Sequence, residues 1–269
     1  MTRVLTGAIL VALSLFVIGL APAWLFWLLL SLTAVLASTE LARVLDGMER
    51  PAWPWLATAG VLGTMGSFVA GGPPLSLVLT ALLIAVFLRT VVSRSPPNEA
   101  SSRVASSLLF ALYLGLTFGH IGALHGAGGG SFRGQGPLLF AIASVYVGDI
   151  AAFYGGRAFG RRRLAPSVSP GKTWEGAACG VIGAVVAAWT CERLSVVDYG
   201  ASGAAVLGVL VGVAGIAGDL AESMLKRAGR IKDSGALLPG HGGVLDRLDS
   251  LLFAAPVVYW ADRVLASAL

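Results

Sequence analysis

The sequence predicts an all-α, polytopic integral membrane protein, and three observations carry that prediction. Of the 269 residues, 56% are hydrophobic and only 12% are charged, a balance well outside soluble globular averages. The apolar residues gather into nine runs, near 4–20, 23–45, 54–70, 75–92, 104–122, 137–157, 174–191, 202–225 and 249–267, each close to the roughly 20 residues that cross a bilayer as a helix. With the N-terminus in the cytoplasm and alternating spans, 16 of the 19 Lys and Arg residues fall on the cytoplasmic side, as the positive-inside bias demands.

The breaks between runs are turn-forming or polar: Ala21-Pro22-Ala23, Arg50-Pro51, Gly71-Gly72-Pro73-Pro74, a polar stretch at 93–103 and a Gly-rich stretch at 126–136. None is long enough for a separate soluble domain. Residues 1–135 are therefore read as N-terminal helices for packing and lipid access, and 136–269 as a C-terminal catalytic region, within one membrane domain overall. The first run also resembles a signal peptide, with Arg3 ahead of it and small residues at 21–23; retention as a span is the expectation. The net charge of +5 follows from the topology, and no nucleic-acid partner is expected. Cys179 and Cys191 stand twelve residues apart in one predicted span, without metal or redox spacing. The 36 glycines are mainly packing devices, letting membrane helices approach closely.

Ionisable groups at membrane depth default to a functional reading, so the 14 acids locate the chemistry. Glu40, Asp46, Glu49 and Glu99 lie near predicted helix ends or in loops, where solvated or interfacial roles are expected. Glu192, Asp198 and Asp262 lie towards the outer side. The other seven, Asp149, Glu175, Asp219, Glu222, Asp233, Asp246 and Asp249, cluster around two cytoplasmic connections. A cytoplasm-facing polar active-site cavity is predicted there.

The first connection begins at Asp149, set in an apolar run where ionisation needs a cation, a metal or a hydrated cavity. It continues through Arg157 and Arg161-Arg162-Arg163 to Ser169-Pro170-Gly171-Lys172-Thr173-Trp174-Glu175. Guanidinium forks match phosphate geometry, although plain cytoplasmic anchoring also explains the Arg triplet. The segment 169–173 falls short of a P-loop and reads as a turn whose Thr173 caps the next helix.

In the second connection, Asp219, Glu222, Ser223 and Lys226 stand at i, i+3, i+4 and i+7, one stripe on one helical face. Asp246 and Asp249 repeat the i, i+3 spacing at the start of the last span, and Gly240-His241-Gly242-Gly243 can form an anion nest. Hard oxygen ligands in this arrangement suit Mg²⁺. An uncompensated charge at the bilayer centre costs at least ~2.5 kcal/mol, so a hydrated, cation-filled site is required. His241 reads as a phosphate donor, a proton carrier or a loop stabiliser; His120 and His125 lie on the opposite side and are expected to be structural.

From Ser223 to Asp249 the string Ser223-x-Leu225-Lys226-Arg227-x4-Lys232-Asp233-x-Gly235-x2-Leu238-Pro239-x-His241-Gly242-Gly243-Val244-x-Asp246-Arg247-Leu248-Asp249 resembles the signature of the phosphatidate cytidylyltransferase (CDP-diacylglycerol synthase) family over 27 positions without a gap. Asp149 and the segment 169–176 are also similar to that family. Two positions depart from it: Phe153 stands where Tyr is common, and Gly171 where Lys is usual, which leaves Lys172 as the cation.

The resemblance implies the reaction CTP + phosphatidate → CDP-diacylglycerol + pyrophosphate with Mg²⁺, to which a monovalent cation can be added, in a bacterial inner membrane. On this reading Asp219, Asp246 and Asp249 hold the metal, with Asp149, Glu175 and Glu222 behind them. Lys226 acts with them in catalysis. Ser223, Arg227, Lys232, His241, Gly242, Gly243, Arg247, Lys172 and Arg157 contact CTP and phosphatidate. A homodimer is the expected oligomer. A CTP-dependent polyprenol or lipid kinase is the nearest alternative activity. A cation-coupled transporter is the alternative from another class, but the clustered charges gather on one side and no acids line the outer half at matching depth.

Overall fold

A computed structural model describes residues 16–20, 22–126, 135–235 and 242–268. Most of the first predicted span and His241 lie outside the described residues. From Ala23 onward the described elements in chain order are α1 Ala23–Gly47, α2 Pro54–Gly66, α3 Leu75–Val92, α4 Pro97–Gly126, α5 Gly136–Phe159, β1 Arg163–Ala165, β2 Ser169–Thr173, α6 Trp174–Arg193, α7 Gly200–Ala228 and α8 Leu245–Ala268. Proline punctuates several starts, as the N-cap residue of α1 (Pro22) and α3 (Pro74) and within the first two positions of α2 and α5. There its missing N–H costs nothing and its fixed φ suits the helix.

Six helices among the described residues, α1, α3, α4, α5, α6 and α7, are long and apolar enough to cross a membrane. Their outward surfaces are apolar too. On α3, Leu77, Ile84, Phe87, Leu88 and Val91 are each more than half exposed, a display that water would not tolerate and lipid does. The chain is an integral membrane protein. Two predicted spans differ from expectation. The run at 54–70 yields a helix of only 13 residues, about 20 Å long, because the chain turns after Gly66 and Gly71 adopts φ +76°. Helix α8 has 24 residues, but Asp246, Arg247, Asp249, Asp262 and Arg263 lower its hydropathy.

The chain forms two compact units, one of Met1–Ala123 with Leu225–Arg247, the other of Leu124–Met224 with Leu248–Leu269. In the first, Leu82 and Val86 of α3 pack on Ala111 of α4, with Leu56, Val104 and Leu108 around them. Trp53 ties three elements together: its N–H donates to Ser107 Oγ (2.9 Å) and its Nε1–H to Thr90 Oγ1 (3.1 Å), while the Arg89 guanidinium lies 4.0 Å from its ring centre. The C-terminal turn of α1 meets the end of α7 without side chains between them. A Cβ on Gly229 would lie 2.7 Å from Val44 O.

The second unit is built on small residues. A Cβ on Gly148 would lie 3.1 Å from Gly180 O; one on Gly180, 3.0 Å from Ala152 Cβ; one on Gly176, 2.9 Å from Ala152 O. Helices α5 and α6 are thus in backbone contact through a small-xxx-small seam. Helix α7 continues the pattern with a buried stripe of Ala204, Gly208, Val211, Gly212, Gly215 and Gly218 that ends at the fully buried Glu222.

The hairpin is the addition to the predicted all-α architecture. Strands β1 and β2 pair antiparallel, Arg163 with Thr173 and Ala165 with Ser169, around a turn closed by Val168 N–H to Ala165 O (3.2 Å), with Pro166 in its favoured second position. As expected, Thr173 caps α6, its Oγ1 accepting from Gly176 N–H at 3.1 Å.

Leucine at position 180 cannot fit this seam. Gly180→Leu is expected to destabilise the detergent-solubilised protein by about 1–3 kcal/mol, read as a lower midpoint in thermal unfolding. Gly171→Leu, where an added Cβ meets nothing within 4 Å, should leave the midpoint unchanged. Equal midpoints for the two variants would contradict backbone contact between α5 and α6.

Candidate active site

In the first unit, the end of α7, the loop after it and the start of α8 bring the signature's charges together. Lys226 Nζ donates to Asp246 Oδ1 at 2.6 Å, and the two side chains are only 12% and 9% exposed. The other oxygen of Asp246 accepts from Ser234 N–H (3.0 Å) and Gly243 N–H (2.8 Å) and lies 3.0 Å from Ser234 Oγ, whose one proton is shared between this carboxylate and Glu40. Burial opposes ionisation of Asp246, but the Lys226 hydrogen bond, the Gly243 N–H, the Lys226 charge and the Ser234 N–H outweigh it and hold the carboxyl down to about 2.

A second carboxylate completes this cluster, and the sequence reading missed it. Glu40, expected to be solvated, is 3% exposed. Its Oε1 accepts from Val244 N–H (2.9 Å), and its Oε2 from Leu245 N–H (2.9 Å) and Ser234 Oγ (2.8 Å). It therefore caps the first turn of α8, whose amides have no intrahelical acceptors and favour negative charge. One signal was present in the sequence: Glu40 stands at i+3 from Ala37 and i−4 from Val44, both buried, so helical periodicity placed it on the packed face of α1.

The two carboxylates explain the signature's glycines. A Cβ on Gly235 would lie 2.5 Å from Glu40 Oε1, and one on Gly243 2.5 Å from Glu40 Oε2. Gly242 has φ +80°, a conformation other residues avoid, and its Cβ would lie 2.8 Å from Asp246 Oδ2. The N–H groups of Gly243, Val244 and Leu245, which a glycine-rich anion nest would aim at a ligand, are satisfied by the protein's own acids.

In the second unit, the hairpin delivers Lys172 to Asp219, Nζ to Oδ2 at 2.5 Å, and Ser223 Oγ donates to Asp219 Oδ1 at 3.3 Å. Asp149 lies in the field of both Asp219 and Lys172. Two carboxylates and a hydroxyl thus gather near one lysine. That donor set fits Mg²⁺, an ion commonly held by one or two carboxylates with waters and substrate phosphates. Among the described residues no group of three or more His, Cys, Asp or Glu side chains converges as a ready-made metal site. Gly218, beside Asp219, would place a Cβ 3.1 Å from Phe253 Cβ, so the absence of a side chain there lets α8 approach α7.

The remaining predicted residues divide by environment. Arg157, Arg227, Lys232 and Arg247 are exposed, Arg227 turning Nη1 towards Ile231 O at 3.4 Å. Asp249 is half-buried, its Oδ1 accepting from Ser250 N–H at 2.7 Å. Glu175 accepts from the N–H groups of Arg161 (3.0 Å) and Arg162 (3.2 Å), which ties the start of α6 to the chain ahead of the hairpin. Phe153 and Tyr154 are both exposed and meet edge to face at 5.3 Å.

Comparison with known proteins identifies the family. The sequence pattern described as "Cytidylyltransferase family" matches residues 1–265. The chain is 34% identical over 282 residues to the phosphatidate cytidylyltransferase of Brucella suis biovar 1, covering 98% of this chain and 94% of that protein. It is 46% identical over 129 residues to that of Haemophilus influenzae, 46% of this chain and 45% of that protein. Against the phosphatidate cytidylyltransferase of Pseudomonas aeruginosa it is 46% identical over 131 residues, 47% of this chain and 48% of that protein. Matched along nearly its whole length by this family's pattern and by a relative covered almost end to end, the chain belongs to the cytidylyltransferase family.

Proposed function

We propose that the protein is a phosphatidate cytidylyltransferase, which makes CDP-diacylglycerol and pyrophosphate from CTP and phosphatidate in phospholipid biosynthesis. The observation that carries this reading is the ungapped signature from Ser223 to Asp249 in a chain matched by the family along nearly its whole length. An oxygen of the lipid phosphate attacks the α-phosphorus of CTP. The bond from that phosphorus to the oxygen bridging the β-phosphate breaks, and pyrophosphate leaves with the electron pair. The attacking oxygen is already anionic near neutral pH, so no strong general base is needed, and charge neutralisation is the main demand.

Lys226, Lys172, Arg227, Lys232 and Arg247 supply that neutralisation, with Arg157 and His241 as further phosphate contacts and Ser223, Gly242 and Gly243 shaping the site. Bound Mg²⁺ would offset phosphate charge and align the reacting oxygens. The assignment of Asp219, Asp246 and Asp249 as its ligands rests on the residue pattern, with a monovalent cation as an optional companion. Asp149, Glu175 and Glu222 stand behind them. Residues 136–269 carry the chemistry and residues 1–135 serve packing and lipid access. A cytoplasmic N-terminus and a cytoplasm-facing site in a bacterial inner membrane are supported by the side on which the cations gather and by the bacterial relatives. The protein is proposed to work as a homodimer.

The reaction is tested by giving membranes that contain the protein phosphatidate, Mg²⁺ and CTP labelled in either the α- or the γ-phosphate. Label entering lipid from the α position is expected. Label from γ would establish a kinase, and no labelled lipid from inserted protein would exclude both.

Asp246→Asn preserves shape but turns an NH₂ towards the Lys226 ammonium or the N–H donors of Ser234 and Gly243. Turnover should fall by about tenfold to a hundredfold with membrane insertion retained. Near-normal turnover would remove Asp246 from the site.

A further inference from the structure

We infer that Glu40 is a positioning residue for cytidylyl transfer, setting the Lys226–Asp246 pair through Ser234 and the N-terminus of α8; this rests on the function proposed above. With 3% exposure and its carboxylate oxygens engaged by Val244, Leu245 and Ser234, Glu40 does not meet a substrate. It acts by fixing groups that do the work. Its Oε2 takes the Ser234 hydroxyl at 2.8 Å, and the same residue presents its backbone N–H to Asp246 at 3.0 Å. On the other side Glu40 holds Val244 and Leu245, directly after Gly243, whose N–H donates to Asp246 at 2.8 Å.

Each backbone donor that orients Asp246 is therefore adjacent to, or within, a residue gripped by Glu40. Asp246 in turn holds Lys226 at 2.6 Å. The path from a carboxylate in the N-terminal helices to the signature's lysine has two links, Ser234 or Gly243 and then Asp246. Gly235 shows how closely the loop is fitted to this acid, because the nearest atoms to an added Cβ are Oε1, Cδ and Cγ of Glu40, at 2.5, 3.0 and 3.3 Å.

The test uses purified full-length protein in mixed micelles with phosphatidate, Mg²⁺ and α-labelled CTP, and kcat and KM for CTP are referred to folded protein. Glu40→Gln keeps one acceptor oxygen but turns an NH₂ towards a backbone donor. It is expected to lower kcat by about tenfold to a hundredfold while KM for CTP changes by less than about threefold, since a misplaced group acts on the transition state. In a Lys226→Met background the same change should lower the residual kcat by less than about twofold, because a path that ends at Lys226 has nothing left to orient.

Tyr199→Phe, which removes a hydrogen bond to Asp262 (2.8 Å) within the second unit, should leave kcat unchanged. If Glu40→Ala folds poorly, Glu40→Ala with Gly235→Ala reads the contact without catalysis. The second substitution should lower the unfolding midpoint in the wild-type background and not in the Glu40→Ala background.

Unchanged kcat in Glu40→Gln, full multiplication of the Glu40 and Lys226 effects, or additive midpoints in the Gly235 pair would each overturn the assignment. Wild-type protein that transfers no α-label would overturn the proposed function and this assignment with it. Wild-type transfer together with an inert Glu40→Gln would overturn this assignment alone.

Discussion

A buried carboxylate facing the first turn of a helix is the interaction on which the signature region depends. Glu40 and the start of α8 solve each other's problem. The carboxylate is out of water and needs donors, while Val244 and Leu245 have N–H groups without intrahelical acceptors. Leaving either side unsatisfied when buried costs about 1–3 kcal/mol per group, and more for a charge. Because the acceptor comes from α1, the chain after Ser234 is tied to the N-terminal helices. The glycines at 235 and 243 are the residues that leave room for it.

The same economy of donors governs the second unit. Glu192 accepts from the N–H groups of Tyr199 (2.9 Å) and Gly200 (3.1 Å) at the start of α7, Thr173 caps α6, and Glu175 holds the backbone of Arg161 and Arg162 ahead of the hairpin. Backbone contact along α5, α6 and α7 supplies the rigidity that lipid cannot, since hydrocarbon gives no hydrophobic drive for helix association. On that frame a short hairpin is enough to carry Lys172 to Asp219. The two lysine–carboxylate pairs are built differently: Asp246 is held by backbone donors as well as by its lysine, whereas Asp219 has a lysine and one hydroxyl and shares the lysine's field with a second acid.

What could be read from the sequence follows the range of the interactions. Helix positions, the packing role of glycine, the Thr173 cap and the Lys-rich signature all rest on periodicities or motifs within a few residues. The partners of Glu40 are about 200 residues further along the chain, so helical periodicity could place this acid on the packed face of α1 but could not name its donors. The hairpin was missed because a pair of strands of 3 and 5 residues has no room for alternation, and its prolines and arginines read as a polar connection. The run at 54–70 overstated α2 because Phe68 and Val69 are apolar residues in a turn. The last predicted span is interrupted by Asp262 and Arg263, and α8 begins ahead of it with Asp246 and Arg247.

The most direct measurement is hydrogen exchange of single amides in the full-length protein held in lipid nanodiscs. Caps provided by Glu40 should make the Val244 and Leu245 amides exchange orders of magnitude more slowly than exposed amides, at a helix end where fraying is usual. Exchange of both at the rate of solvent-exposed amides would show that Glu40 does not hold the start of α8, and would contradict the account of the signature region.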